Sequence, residues 1–320
     1  MGSFVSIGAG AGMMSALLFA AGASGNPLAV ILYILSPLPL LVGGLGWNHR
    51  AAMIGALMGA LVLAIAMKPM VGLLYLATIA LPAWWFAYLA LLARFDQGAA
   101  EWYPLGRLLA WIALLSAGLT CGAIVLAGGY EAFTAAFTEA VTSFFEANPG
   151  LLAGLVGDGR ATSIPEFARL MVLLAPPISA AAGVVIDVVL IWAAARICKA
   201  MNRLPRPWPA IAATALPSAA LGALAVSLVG GFVLTHFAGM AARVFGAALL
   251  MAYGLQGLAT LHGLTVGLSG RAGILAGIYL VLALIPGWPV LALGLLGVAD
   301  AIFGLRARRK GPRPPANSST

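Results

Sequence analysis

Apolar residues come in long runs along this chain, near 5–23, 28–46, 51–67, 70–93, 107–127, 170–195, 210–234, 241–267, 272–285 and 288–305. Short polar stretches separate them: Asn26-Pro27, Trp47-Asn48-His49-Arg50, Lys68-Pro69, a charged loop at 94–107, the Arg/Pro-rich loop 196–209, Ser269-Gly270-Arg271 and Pro286-Gly287-Trp288-Pro289. A helix needs roughly 20 apolar residues to cross hydrocarbon, and most runs approach that length. They are apolar on all sides, unlike barrel strands, which alternate over about ten residues. Because a helix satisfies its own backbone in lipid, the pattern predicts an all-α, polytopic transmembrane helix bundle. The ninth run is short enough to be tilted, re-entrant or fused with its neighbour, so eight to ten spans are expected.

The middle segment, 128–169, breaks the pattern. Phe133, Phe137, Val141 and Phe144 recur every three to four residues, while Glu131, Thr138, Thr142 and Glu146 fall largely on the other side. That spacing predicts an amphipathic helix. It holds acids and almost no Lys or Arg, a poor match to anionic lipid, so it is expected as an extracytoplasmic excursion that caps the bundle or offers a lid or partner surface. Leu151 to Val156 is expected to dip back before Asp158-Gly159-Arg160.

Composition sharpens the class. The chain is 62% hydrophobic and 8% charged, with mean hydropathy +1.05, against roughly 25% charged residues in a soluble domain. The net charge of +8 does not suggest nucleic acid: the basic residues flank spans and form no evident patch with interleaved aromatics. With the basic tail inside and ten crossings, the inside collects Arg50, Arg94, Arg107, Arg196, Lys199, Arg203, Arg206, Arg271, Arg306, Arg308, Arg309, Lys310 and Arg313. The outside keeps Lys68, Arg160, Arg169 and Arg243. Lys and Arg in short loops set orientation, so both termini are expected to be cytoplasmic in a bacterial inner membrane. Residues 1–306 then form one integral membrane domain and 307–320 a disordered basic tail. The N-terminus lacks the cationic start of a signal peptide, so the first run is expected to stay as a helix. Cys121 and Cys198 are expected in different compartments, without a disulfide.

Polar and helix-breaking residues inside spans are the candidate functional residues. Pro37 and Pro39 interrupt the second run, and a broken helix at membrane depth is tolerated where it faces protein or a cavity; a ligand-binding break and a structural kink are the two readings. Trp84 and Trp85 fall inside the fourth run instead of at an interface, where they could wall an apolar or aromatic ligand pocket or simply pack. Asp187, His262 and Asp300 are ionisable residues within spans, all toward the cytoplasmic half, and suspect on that ground. They are candidates for one intramembrane polar cluster or a proton-linked site. Alternatively, Asp300 pairs with the arginines after it and His262 reaches the interface. His236 and Arg243, near the outer mouth, are expected at headgroups. Gly8/Gly12, Gly55/Gly59, Gly118/Gly122, Gly263/Gly267 and Gly273/Gly277 give small-xxx-small spacing, suited to tight packing or to docking a membrane partner. No Walker A, HExxH, GxSxG or His-rich stretch is present, so no catalytic constellation, metal site or cofactor is expected.

Ser36-Pro37-Leu38-Pro39-Leu40 leading to Gly43-Gly44-Leu45-Gly46-Trp47, Leu81-Pro82-Ala83-Trp84-Trp85, and Leu296-Gly297-Val298-Ala299-Asp300 running to Arg306 together resemble the YybS-like predicted membrane proteins, domain of unknown function family 2232, in its alphaproteobacterial branch. The resemblance covers most of 5–306. It implies kinship with a broad group that includes substrate-capture subunits of energy-coupling-factor vitamin transporters and a cell-shape membrane protein. The expected role is small-solute transport or substrate capture, with Gly12, Ala16 and Ala20 as a partner-docking face; the alternative is a non-transporting scaffold for envelope assembly.

Overall fold

Each of the ten apolar runs carries a helix in the structure, a computed structural model that describes residues 2–22, 27–96, 99–148, 150–151, 163–285 and 287–309. The first run is α1 (Gly2–Ala21) and the second is split into α2 (Pro27–Leu35) and α3 (Leu38–Gly46). The third is α4 (His49–Ala66). The fourth is α5 (Pro69–Tyr75) joined through a π turn at Leu76–Ala80 to α6 (Leu81–Leu91). Pro82 cannot donate a helix hydrogen bond, and the wide turn just ahead of it is the register change that accommodates the loss. The charged loop holds a small antiparallel hairpin, β1 (Ala93–Asp96) and β2 (Ala99–Trp102), with Arg94 opposite Glu101. Then follow α7 (Leu105–Leu126), α8 (Tyr130–Ala147), α9 (Ile164–Ala200), α10 (Ser218–Val233), α11 (His236–Leu264), α12 (Arg271–Leu284), α13 (Trp288–Phe303) and α14 (Leu305–Arg309).

Seven of the described helical segments are long and apolar enough to cross a membrane, and α10, α12 and α13 are shorter apolar helices. At 1.5 Å per residue the 14 residues of α12 reach about 21 Å, short of a core roughly 30 Å thick. The 37-residue α9 reaches about 55 Å and so exceeds that core. Its start is fixed by a capping box: Ser163 N–H donates to Glu166 Oε2 at 3.1 Å and Glu166 N–H to Ser163 Oγ at 3.4 Å. Residues 164–169, expected in the excursion, are therefore the first turns of the sixth run's helix. The amphipathic helix forms as α8. The expected dip at 152–156, Asp158-Gly159-Arg160 and tail residues 310–320 lie outside the described residues.

The chain gathers into two compact units whose boundaries pass through α7 and α9. Unit 1 contains residues 1–112 and 185–215. Its centre is the α1–α4 pair, where a Cβ on Gly12 would collide with the Gly55 carbonyl and one on Gly59 would lie 2.8 Å from the Gly12 carbonyl. In lipid, apolar side chains gain little by burial, so backbones that approach closely supply the packing instead. Gly12 and Ala16, two of the three residues of the face expected to dock a partner, are consumed here, with Ala16 at 1% exposure, while Ala20 is half-buried.

Unit 2 contains residues 113–184 and 216–320. In it α11 packs against α10 and α13. A Cβ on Gly257 would collide with the Leu293 carbonyl, and one on Gly297 with the Tyr253 carbonyl. Met240, Val244, Ala248 and Tyr253 are fully buried along α11. By contrast, α12 buries no residue, and a Cβ on Gly273 or Gly277 meets nothing within 4 Å.

Candidate functional site

α6 carries Trp84, Trp85 and Tyr88 on one side of a short helix, because residues three and four apart share a face. Tyr88 stacks on both tryptophans, with ring centroids 6.0 Å from Trp84 and 5.6 Å from Trp85. Two further rings close the group: His49, 5.1 Å from Tyr88, and Trp111, 5.4 Å from Trp85. His49 is placed by the start of α4, where the Asn48 side chain accepts from the Arg50 N–H at 3.0 Å. Trp84 sits about 10 Å from the end of α6, displaced from the middle of its run toward the basic end.

The hydrogen-bonding state of this cluster sets it apart. Among the described residues, the buried side-chain polar atoms without a partner are His49 Nδ1, Trp84 Nε1 and Trp85 Nε1. All three belong to the one aromatic group. An indole N–H can only donate, while a neutral imidazole nitrogen donates or accepts according to tautomer. Leaving such a group buried and unmet costs about 1–3 kcal/mol. Chemically, the arrangement offers flat ring faces together with donors that lack an acceptor.

At the break in the second run the polar groups are met from within. Pro37 removes the donor that the helix would have supplied, and Ser36 Oγ donates to the Tyr33 carbonyl at 2.7 Å. The Ser36 carbonyl accepts from Ser15 Oγ at 2.5 Å, and Ser15 Oγ in turn accepts from Tyr75 Oη at 2.7 Å. Ser15, Ser36 and Tyr75 are all fully buried. Pro37 caps α3 and Pro39 lies in its first turn. The chain Tyr75–Ser15–Ser36, which joins α5, α1 and the break, was not evident from sequence because its members are far apart and uncharged.

The three ionisable suspects occupy different surroundings. Asp187 is half-buried on the unit 1 portion of α9. His262 Nε2 lies 3.0 Å from Tyr279 Oη on α12. Asp300, 6% exposed, accepts from Arg306 Nη2 at 2.6 Å and from Gln256 Nε2 at 3.2 Å. Gln256 is 1% exposed; its Oε1 accepts the Leu216 N–H at 2.8 Å and its Nε2 also donates to the Gly297 carbonyl at 3.2 Å. Asp300 thus pairs with an arginine that follows it, and its buried partner is an amide, a residue type outside the ionisable set. The signal was available: Gln256 is a polar residue within the eighth run.

Near the opposite limits of the spans, His236 Nδ1 lies 3.2 Å from Glu131 Oε1, both exposed, and Arg243 Nε donates to the Gly231 carbonyl at 3.0 Å. A groove of about 490 Å³ follows the polar face of α8, along Glu131, Thr138, Glu139 and Thr142. Cys121 and Cys198 are buried free thiols. No group of three or more His, Cys, Asp or Glu among the described residues could hold a metal ion.

One expectation is corrected in the basic loop. The cations there do interleave with aromatics. Arg196 lies over Trp192 and Trp208 at 5.8 and 5.7 Å, Lys199 over Trp208 at 5.0 Å, Arg203 over Trp47 at 5.2 Å and Arg206 over Trp102 at 6.0 Å. Trp47 and Trp102 come from distant segments, which is why the linear sequence hid the patch. Arg206 also donates to the Ala90 and Tyr103 carbonyls at 3.1 and 3.0 Å, and burial draws its pKa below the usual arginine value.

Comparison with curated proteins and with solved structures returns no match. The match to a family is extensive and agrees with the motif resemblance in the second, fourth and last runs. The chain belongs to the family described as predicted membrane protein (DUF2232), whose family model matches residues 13–301.

Proposed function

We propose that this multi-pass membrane protein is a transport or substrate-capture component for a small organic solute, bound against the α6 aromatic cluster. The observation that carries the reading is that the three buried polar atoms unmet among the described residues, on His49, Trp84 and Trp85, fall in one ring cluster. A solute with a flat apolar body and an accepting oxygen would satisfy the indole donors and cover the rings. Those donors are shielded from solvent, so the solute reaches them by displacing a neighbouring side chain. The bilayer location proposed is a bacterial inner membrane, with both termini cytoplasmic, and the motifs favour the YybS-like, alphaproteobacterial branch of the family. Asp187 remains in this proposal as a polar group that the solute or a coupled proton could use. The role is non-enzymatic.

The test is purification of the full chain from native membranes, with co-purifying small molecules and proteins identified together. The proposal expects a small organic molecule that is retained by the native chain and lost from W84F/W85F. Recovery of envelope-assembly proteins, with no small molecule on the native chain, would replace capture with the scaffold reading, for which the open glycine faces Gly118/Gly122 and Gly273/Gly277 are the available contacts.

A further inference from the structure

Four cations in the eleven residues from Arg196 to Arg206 lie over tryptophan faces at one end of unit 1. The helix ends that meet there are those of α3 and α9, where Cys198 Sγ donates to the Val42 carbonyl at 3.5 Å, and of α6, which Arg206 ties to the segment after β2. We propose that this end is a binding site for the phosphate headgroup of an anionic phospholipid.

The argument rests on which donors remain unused. A cation over a ring uses the attraction of the π face and leaves its N–H groups available. Arg206 spends donors on two carbonyls, but Arg196, Lys199 and Arg203 are exposed and make no ion pair among the described residues. Few carboxylates are available to neutralise the patch: unit 1 contains Asp96, Glu101 and Asp187. The indoles fix the depth. Trp is favoured at the level of headgroups; Trp47 directly follows α3, Trp192 lies in the last three turns of α9, and Trp208 lies in the loop after it, under Arg196 and Lys199. Cations set over indole faces near span ends, with exposed forked donors and few carboxylates in their unit, match a phosphate diester. Clusters of this kind between span ends are the sequence-readable form of anionic-lipid recognition. A guanidinium can take two phosphate oxygens at once, while Lys199 adds a point charge.

The site is separate from the solute cluster in residues and in chemistry, so its failure leaves the capture proposal untouched. The test uses the full chain in nanodiscs of phosphatidylcholine with cardiolipin as the minor component, released for native mass spectrometry. The native chain is expected to retain cardiolipin over phosphatidylcholine. R196Q/K199Q/R203Q should reduce that preference by tenfold or more, since each cation near an anionic surface contributes about fivefold. R94Q/R107Q neutralises two cations of the same unit that lie outside the tryptophan set and should leave the preference unchanged. An equal loss in both variants would mean diffuse surface charge and would overturn the site. Displacement of cardiolipin by inorganic phosphate would assign the donors to a free anion and overturn the lipid. The residues changed are exposed; K199Q alone, should the triple variant misfold, is expected to shift the preference in the same direction by a smaller factor, and no shift would count against the proposal.

Discussion

Arg306 reaches back to Asp300 through three donors: its backbone N–H to Oδ1 at 3.2 Å, and its Nε and Nη2 to Oδ2 at 3.0 and 2.6 Å. Gly304, with φ +62°, turns the chain out of α13 so that the tail can fold back onto this carboxylate. A left-handed position there is easily held by glycine and strained for other residues.

Breaking this pair should destabilise unit 2 unequally. Removing one partner of a buried pair costs about 3–5 kcal/mol when the other charge stays buried. Asp300 is the more enclosed group, with its side chain 5% exposed against 15% for Arg306. Arg306→Ala leaves the more enclosed carboxylate without its guanidinium, held only by the residue 306 N–H and Gln256, and should cost more than Asp300→Ala. Thermal unfolding of the two single variants and the double variant in detergent checks the order, and the double variant should lose less than the sum.

The glycine contacts predict a sharp division between similar substitutions. Gly257→Ala and Gly297→Ala place a methyl against a carbonyl of the facing helix and should destabilise by about 1–3 kcal/mol. Gly118→Ala and Gly273→Ala have open space and should stay within about 0.5 kcal/mol of the native chain. Equal effects in the two sets, measured by denaturant titration of helicity, would contradict the packing described for α11 and α13.

The break at Ser36 should depend on the hydroxyl relay that meets it. Ser15→Ala leaves the Ser36 carbonyl without its donor and should cost about 1–3 kcal/mol. Tyr75→Phe removes the next link, and the two changes should be non-additive because both act on one network. Melting temperatures of the two single variants and the double variant measure the coupling.

Orientation is open to chemical labelling. Ser143 on α8 and Lys199 near the end of α9 are exposed, and the native thiols are buried. In intact cells an outer-face, membrane-impermeant maleimide should label Ser143→Cys and spare Lys199→Cys. The reverse pattern would invert the proposed topology.

Most of the fold was legible in sequence because lipid imposes a simple rule: long apolar runs become helices. The ten runs follow from it; the interruption at Pro37 follows from proline's missing donor, and α8 from the three-to-four-residue spacing of its phenylalanines. The capping box that starts α9 was also written in Ser163 and Glu166 but is short, and proline and acid nearby gave the segment the look of a loop. Other features depend on residues meeting in space. The hairpin after α6 needs only four residues per strand, too few for a period to emerge. The Tyr75–Ser15–Ser36 relay, the Gln256–Asp300 contact and the tryptophan faces under the basic loop bring together residues from separate segments. At the candidate site the sequence singled out Trp84 and Trp85 by their depth, but not His49, which belongs to a different helix and joins them through Tyr88.

The central claim is that the indole donors of Trp84 and Trp85 meet an acceptor in the native membrane. Ultraviolet resonance Raman spectroscopy reads the hydrogen-bonded state of indole N–H groups directly, and the difference between the native chain and W84F/W85F isolates these two. In nanodiscs drawn from native membrane the difference spectrum should show hydrogen-bonded indoles that become free after exhaustive detergent exchange. Free indoles in both preparations would contradict the account.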